Sequence, residues 1–238
     1  LEQIVGGNKE SISAFLASPV ELETTKLYPI ENYGSSMAPF YSTLAIWVGG
    51  IVLVAMLKVT VSPNSLNGLE RVKNYQVYFG RYIIFLLAGL FQSGLICLGD
   101  LYYLQIQCEH PFLFLLAGWI TSIVYVNIIY TLTVSFGDIG KAVCVVLLVM
   151  QVAGSGGTFP IEVAPEIFQK IYPFLPFTHS MAAMRECVAG FYQYTYWAEL
   201  GIMCLFLLAS LFLGLVLRKP VIRLNELFIE KLEDTKLM

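Results

Sequence analysis

Five long apolar runs limit what this sequence can fold into. Four contain no charged residue, and the other carries a lysine near its start. The runs span residues 40–57, 82–99, 112–136, 139–157 and 200–217. A helix needs about 20 apolar residues to cross the roughly 30 Å of hydrocarbon in a bilayer. Each run therefore predicts a transmembrane helix, and the expected fold is an all-α, polytopic membrane protein with five transmembrane helices in this chain.

The composition agrees with this interpretation. Of the 238 residues, 57% are hydrophobic and only 13% are charged, whereas a soluble domain has about 25% charged residues. The net charge of −3 gives no sign of a nucleic-acid partner. The lipid bilayer is the expected partner.

Lysine and arginine are distributed unevenly between the loops. Ten of them lie in residues 58–81, 137–141 and 218–238, and four lie on the opposite side. Positively charged loops remain in the cytoplasm, so we expect a multi-pass protein of the cytoplasmic membrane with a cytoplasmic C-terminus. Residues 105–111 and 158–198 are then outside. An outside N-terminal segment also predicts an upstream span, which would make six in the full protein.

Three parts follow from this pattern. Residues 1–38 are polar and would end an extracytoplasmic region. Residues 39–217 would form the transmembrane domain. Residues 218–238 place leucine and phenylalanine at helical spacing opposite charged residues, which predicts a cytoplasmic tail helix.

One polar segment between two runs has the pattern of an amphipathic helix. Within residues 58–81, Leu69, Val72 and Phe79 recur at helical spacing, with Glu70, Arg71 and Lys73 between them. Such a helix lies at the membrane interface, and the charge bias places this one on the cytoplasmic side.

The stretch from residue 154 to residue 190 is broken by glycine and proline. Prolines interrupt helices, and broken backbone cannot face lipid without protein or water partners. Two short extracytoplasmic helices are expected here, the first starting near Pro165 and the second capped by Thr178. We predict a rigid cap over the bundle, formed by Gly156, Gly157, Thr158, Phe159, Pro160, Pro173, Pro176 and Arg185. Arg185 either pairs with Glu186 in solvent or turns inward to hold the short helices.

Polar residues inside apolar runs are costly and often functional. Gln92, Asn127 and Gln151 are the candidates here. Each amide either joins neighbouring helices or contacts a substrate, and the sequence leaves both roles open. Asp100 closes its run and is expected at the interface rather than buried.

Motifs for catalysis are missing from the sequence. His110 and His179 are far apart, and no cysteine or histidine spacing fits a metal. The glycines at 154–157 lack the lysine of a phosphate-binding loop. We therefore expect no enzyme activity, catalytic residue, metal or cofactor in this chain. Cys108 and Cys187 fall on the same side, which would permit a disulfide.

A series of short sequence words, in order along the chain, carries a family resemblance. The most specific are Gly156-Gly157-Thr158-Phe159-Pro160, Pro173-Phe174-Leu175-Pro176-Phe177-Thr178 and Ala183-Met184-Arg185-Glu186. Others are Tyr78-Phe79-Gly80-Arg81-Tyr82 and Phe136-Gly137-Asp138-Ile139-Gly140-Lys141-Ala142. With these words the chain resembles the membrane portion of the YhgE/Pip (phage infection protein) family, within the type-2 ABC exporter permeases.

The resemblance implies a six-span permease core with a large outer domain between its first two spans. It also implies a cytoplasmic coupling helix, which on this chain would be residues 66–80, with Glu70, Arg71 and Lys73 contacting an ATPase. The partners implied are a separate ATP-binding subunit and a second permease in a homo- or heterodimer.

Two function classes follow. In one, the chain is the permease part of an exporter that moves a substrate across the membrane with a separate ATPase. In the other, the fold serves as a non-transporting scaffold, a secretion-system component or a surface receptor of the phage-infection type. An associated ATPase distinguishes the first class from the second.

Overall fold

The structure is a computed structural model and describes residues 28–61 and 72–217. The described residues form helices and no strands. The α-helices are α1 (Tyr33–Met56), α2 (Asn74–Leu98), α3 (Pro111–Phe136), α4 (Asp138–Gly154), α5 (Glu166–Ile171), α6 (Pro176–Arg185) and α7 (Gln193–Phe212). Single π-helical turns extend α2 over Gly99–Tyr103 and α7 over Leu213–Leu217. The all-α class is confirmed.

Four helices are long and apolar enough to cross a membrane. They are Tyr33–Met56, Asn74–Tyr103, Pro111–Phe136 and Gln193–Val216. The fourth predicted run forms α4, which has 17 residues and is not among them. The prediction of several membrane spans is confirmed, whereas the count of five is not.

The helix ends follow from local sequence signals. The side chain of Asn32 accepts a hydrogen bond of 2.8 Å from the backbone nitrogen of Ser35, which caps α1. As a result α1 starts before residue 39, the predicted domain boundary. Pro111 occupies the first turn of α3, where its missing N–H costs nothing. Gly137, with φ of 61°, separates α3 from α4.

The described part of the predicted amphipathic helix is not a separate element. Residues 74–80 form the first turns of α2 and continue directly into the span. The remainder of that prediction is residues 66–73, of which 66–71 lie outside the described residues, as do residues 1–27 and the predicted tail helix at 218–238.

The two ends of the bundle differ in charge. At one end Lys58, Lys73, Arg81 and Lys141 lie on the loops and helix ends, and the Arg81 side chain donates to the Lys58 carbonyl at 2.5 Å. We name this the basic end. The opposite end is the acidic end, where residues 28–32, 104–110 and 155–192 meet. There the backbone nitrogens of Glu109 and His110 donate to the Cys187 carbonyl.

The core is built around α3, which packs against α1, α2, α4, α6 and α7. Its fully buried members include Trp47, Phe85, Tyr125 and Ile129. A smaller apolar cluster of Met37, Phe40, Phe177 and Met181 joins α1 to α6. Both clusters fix the acidic end of the bundle relative to its spans.

Candidate functional site

An uncharged polar network lies inside the bundle around Asn127. This residue is fully buried, and its amide nitrogen donates to the Tyr78 hydroxyl at 3.1 Å. Its amide oxygen accepts from the Ser210 hydroxyl at 2.5 Å. The Tyr78 hydroxyl also lies 2.7 Å from the Thr131 hydroxyl. These bonds join α3 to α2 and α7, which is how amides hold membrane helices together.

Gln92 occupies a different place. Its half-buried amide lies directly on Gly49 of α1, where an added Cβ would overlap the amide. Within the described residues this amide makes no hydrogen bond. Gln92 therefore fills the space that Gly49 leaves between α1 and α2.

Asp100 is buried, although the sequence predicts it at the interface. It lies in the π-helical turn that follows α2 and is only 9% exposed. The Ser42 hydroxyl of α1 donates to its carboxyl group. The π-helical turn is where the Asp100 side chain meets α1, and no signal in the run itself indicates this.

Gln151 contacts the start of α6. It is fully buried, and its side-chain oxygen accepts from the backbone nitrogen of Phe177 at 3.2 Å. The first N–H groups of a helix need such acceptors, so Gln151 caps α6 from α4. The predicted capping by Thr178 is wrong, because α6 begins at Pro176 and the Thr178 hydroxyl has no partner among the described residues.

The adjacent glycines Gly156 and Gly157 have different structural roles. Gly156 has φ of 65°, a conformation that favours glycine. At Gly157 an added Cβ would overlap the ring of Phe40. The turn after α4 therefore needs Gly156 for its backbone conformation and Gly157 for its close contact with α1.

Arg185 turns inward. Its guanidinium donates to the Gly157 carbonyl at 3.1 Å, while the Glu186 carboxylate accepts from the Tyr192 backbone nitrogen at 2.9 Å. Of the two alternatives for Arg185, the structure shows the one in which it holds the broken segment. It ties the end of α6 to the glycine turn.

A histidine–carboxylate pair, which sequence reasoning missed, connects α6 to α7. His179 Nδ1 lies 2.5 Å from the Glu199 carboxylate, and Nε2 lies 2.8 Å from the Pro173 carbonyl. Because both partners are acceptors, the ring is a double donor when it is protonated. Burial alone lowers the pKa of His179, but these hydrogen bonds outweigh it and raise the pKa. The partners are too far apart in sequence for spacing to reveal them.

The remaining predicted cap residues lie nearer the surface. Thr158, Phe159, Pro160 and Pro173 are exposed, and Pro176 begins α6. Short 3₁₀ turns at Ile161–Val163 and Tyr172–Phe174 flank α5. We name residues 155–192 the cap segment, since Gln151, Arg185 and His179 attach it to the bundle.

Of the three predicted coupling residues, only Lys73 lies within the described part of the chain. Its backbone nitrogen donates to the Gln76 side chain at 2.8 Å at the start of α2. Its ammonium group lies 5.9 Å from the centre of the Tyr75 ring. Glu70 and Arg71 lie outside the described residues.

The loops that carry Cys108 and Cys187 meet, but the thiols do not form a disulfide. Both are free, and the Cys108 thiol donates to the Cys187 carbonyl at 3.2 Å. Burial raises the pKa of Cys108 to about 11. The thiol therefore serves as a hydrogen-bond donor at neutral pH.

Comparison with known proteins gives a family match and a relative. The family model described as ABC-2 family transporter protein matches residues 2–216. The uncharacterized protein YhgE of Bacillus subtilis (strain 168) is 29% identical over 188 residues, which cover 79% of this chain and 24% of that protein. The chain thus spans about a quarter of the length of this relative. No solved structure matches significantly.

Proposed function

The chain belongs to the ABC-2 transporter family, and on this premise we propose that it is the membrane core of an exporter permease. A separate ATP-binding subunit would drive it to move a substrate across the cytoplasmic membrane. The observation that carries the proposal is the family match over residues 2–216. It coincides with a bundle of apolar helices whose ends differ in charge.

The directions of the helices favour five crossings. The hydroxyl of Tyr196, in the first turn of α7, donates to the Leu113 carbonyl near the start of α3. Farther along, Ser210 of α7 meets Asn127 of α3. Since α3 and α7 run in the same direction, the chain must return between them. The 17 residues of α4 rise about 25 Å and provide that return.

The charge difference favours one orientation. Lys58, Lys73, Arg81 and Lys141 lie at the basic end, and basic residues remain in the cytoplasm. The cap segment is then extracytoplasmic, and the end of α7 is cytoplasmic. This agrees with the bias of ten to four that the whole sequence shows.

The start of α2 would be the coupling element. From Asn74 the helix continues to Leu98 and its π-helical turn, so a force applied near Lys73 would act on one rigid rod. Tyr78 lies about one turn from Lys73 and reaches both Asn127 and Thr131. Movement of α2 would therefore shift α3 and, through Ser210, α7.

Mutation at the basic end tests the proposal. In the full-length protein, the double substitution Arg71→Glu and Lys73→Glu should reduce the ATP hydrolysis that copurifies with the protein, because it reverses two charges at the proposed contact. Membrane insertion should be unchanged. The control is Lys170→Glu at the acidic end, which should have no effect on copurifying hydrolysis.

If no ATP hydrolysis copurifies with the wild-type protein, or if the double substitution leaves it unchanged, the coupling proposal is wrong. The scaffold or receptor role then becomes the better explanation.

A further inference from the structure

A continuous apolar surface runs from α4 into the cap segment. Val146, Val149, Met150 and Ala153 are exposed, and their spacing places them on one face of α4. In a spanning helix such a face contacts lipid. It leads towards the acidic end, where Ala153 forms part of a cleft.

This cleft lies between the end of α4 and the first half of the cap segment. Its volume is about 360 Å³. The residues that line it include Ala153, Thr158, Phe159, Ile161, Val163 and Phe168. None of these described lining residues is charged, so the cleft is suited to a hydrocarbon ligand.

The cap segment exposes large apolar side chains, two of which, Phe159 and Val163, line the cleft. The exposed fractions are 71% for Phe159, 72% for Val163, 65% for Ile167 and 74% for Phe174. Concentrated apolar exposure of this kind marks an interaction surface. Burying these side chains in hydrocarbon would stabilise the segment, whereas contact with water would not.

His179 fixes the position of Pro173 along α7. Its ring holds Pro173 beside Glu199, which lies about 10 Å along α7 from Tyr192 at about 1.5 Å per residue. Tyr192, Tyr194 and Trp197 are exposed around the start of α7. Exposed tyrosine and tryptophan mark the membrane interface.

The same belt appears on a second helix, because Tyr102 and Tyr103 are exposed at the end of α2. Part of the cap segment therefore lies at or below the level of the aromatic belt. Apolar side chains exposed at this depth would contact acyl chains.

We propose that the cleft between α4 and the cap segment binds one acyl chain of a phospholipid from the adjacent leaflet. Lipid is favoured over a second copy of this chain because the cleft continues the lipid-facing surface of α4 through Ala153. The lining also offers no charged group for a partner protein. The proposal depends on the membrane crossing of α4 and not on an ATPase, so the coupling experiment can fail without affecting it.

Photocrosslinking of the full-length protein in phosphatidylcholine nanodiscs tests the proposal. The probe is phosphatidylcholine with a diazirine near the end of one acyl chain, and mass spectrometry locates the adducts. We expect adducts on Ile161 and Phe168 inside the cleft as well as on α4. Ala153→Phe should fill the cleft from one wall, and Val163→Trp should narrow it from the other. Both should abolish the cleft adducts.

The matched control is Val149→Phe, which adds the same side chain to the same face of α4 outside the cleft. It should leave the cleft adducts unchanged. Adducts on α4 without any on residues 158–168 would overturn the proposal, as would adducts that persist in both Ala153→Phe and Val163→Trp. A disulfide between two copies of an Ile161→Cys variant that excludes the lipid would show that a second chain fills the cleft instead.

Discussion

At Gly157 the backbone of the cap segment touches the Phe40 ring of α1, and the contact leaves no room for a side chain. We expect Gly157→Val to reduce the free energy of unfolding by about 1–3 kcal/mol, because it overpacks this site. Thermal unfolding of the purified protein in detergent measures the change. Phe40→Leu replaces the ring by a smaller side chain and makes room for the added valine side chain. When the two substitutions are combined, part of the lost stability should therefore be recovered.

The control for that variant is Lys170→Gln. Lys170 is exposed and lies 3.6 Å from the exposed Glu166, so its loss should change stability by no more than about 0.5 kcal/mol. Equal stability of Gly157→Val and the wild type would show that the cap segment is not packed tightly against α1.

His179 should make stability depend on pH. Its pKa is raised in the folded protein, whereas an unfolded histidine has a pKa of about 6.5. The folded state then binds the proton more tightly than the unfolded state. The stabilisation is fully present below the unfolded pKa and is lost as pH rises through the folded pKa. Unfolding temperatures measured across this range should therefore fall with rising pH.

Two histidine variants separate this effect from others. His179→Gln should remove this part of the pH dependence, because it removes the titrating ring between Glu199 and Pro173. His110→Gln should preserve it, since His110 packs against Phe191 and touches neither partner. A pH profile that is the same in His179→Gln and the wild type would contradict the assignment.

At the scale of elements, α6 depends on α4 for its first hydrogen-bond acceptor. Gln151→Leu should cost about 1–3 kcal/mol, because it leaves the buried Phe177 N–H without a partner. The matched control is Gln92→Leu, since the Gln92 amide makes no hydrogen bond within the described residues. A comparison of the two unfolding midpoints tests the difference, and a greater loss in Gln92→Leu would refute the capping role.

The sequence predicts an element well when its signal is local. Pro111 and Gly137 mark the ends of α3 in the chain itself, so the predicted run at 112–136 nearly matches the helix. The capping of α6 could not be read in this way, because Gln151 and Phe177 are 26 residues apart. Arg185 is an intermediate case. The sequence indicates that it either faces solvent or turns inward, and the hydrogen bond to Gly157 decides between the two.

At the scale of the whole molecule, the family resemblance is confirmed by the match over residues 2–216. The sequence words that indicate the family include the glycine turn and the residues around Arg185. These two words are in contact in the fold, because Arg185 donates to the Gly157 carbonyl. The number of crossings was harder to predict, because the hydropathy of residues 139–157 alone does not fix the length of α4. The direction of α4 follows from the contacts between α3 and α7, which only the folded structure shows.

Orientation provides a test at this scale. Single cysteines in a background without the native five should label according to their end of the bundle. With a membrane-impermeant maleimide, Lys170→Cys should react in intact cells, and Lys141→Cys should react only after lysis. Both substitutions lie at exposed or partly exposed positions. The reagent's access to each cysteine therefore depends on the side of the membrane on which it lies. Reaction of the second variant alone in intact cells would invert the orientation.

The contact between Ser210 and Asn127 also has a consequence for biosynthesis. The two residues are 83 positions apart, so at about 5–20 residues per second Ser210 is made roughly 4–17 s after Asn127. During that interval the Asn127 amide nitrogen can already donate to the hydroxyl of Tyr78, which is made earlier. The Asn127 amide oxygen still lacks its donor, the Ser210 hydroxyl. A chain truncated before α7 keeps that acceptor unpaired in the membrane, which gives quality-control proteases a physical difference between unfinished and complete chains.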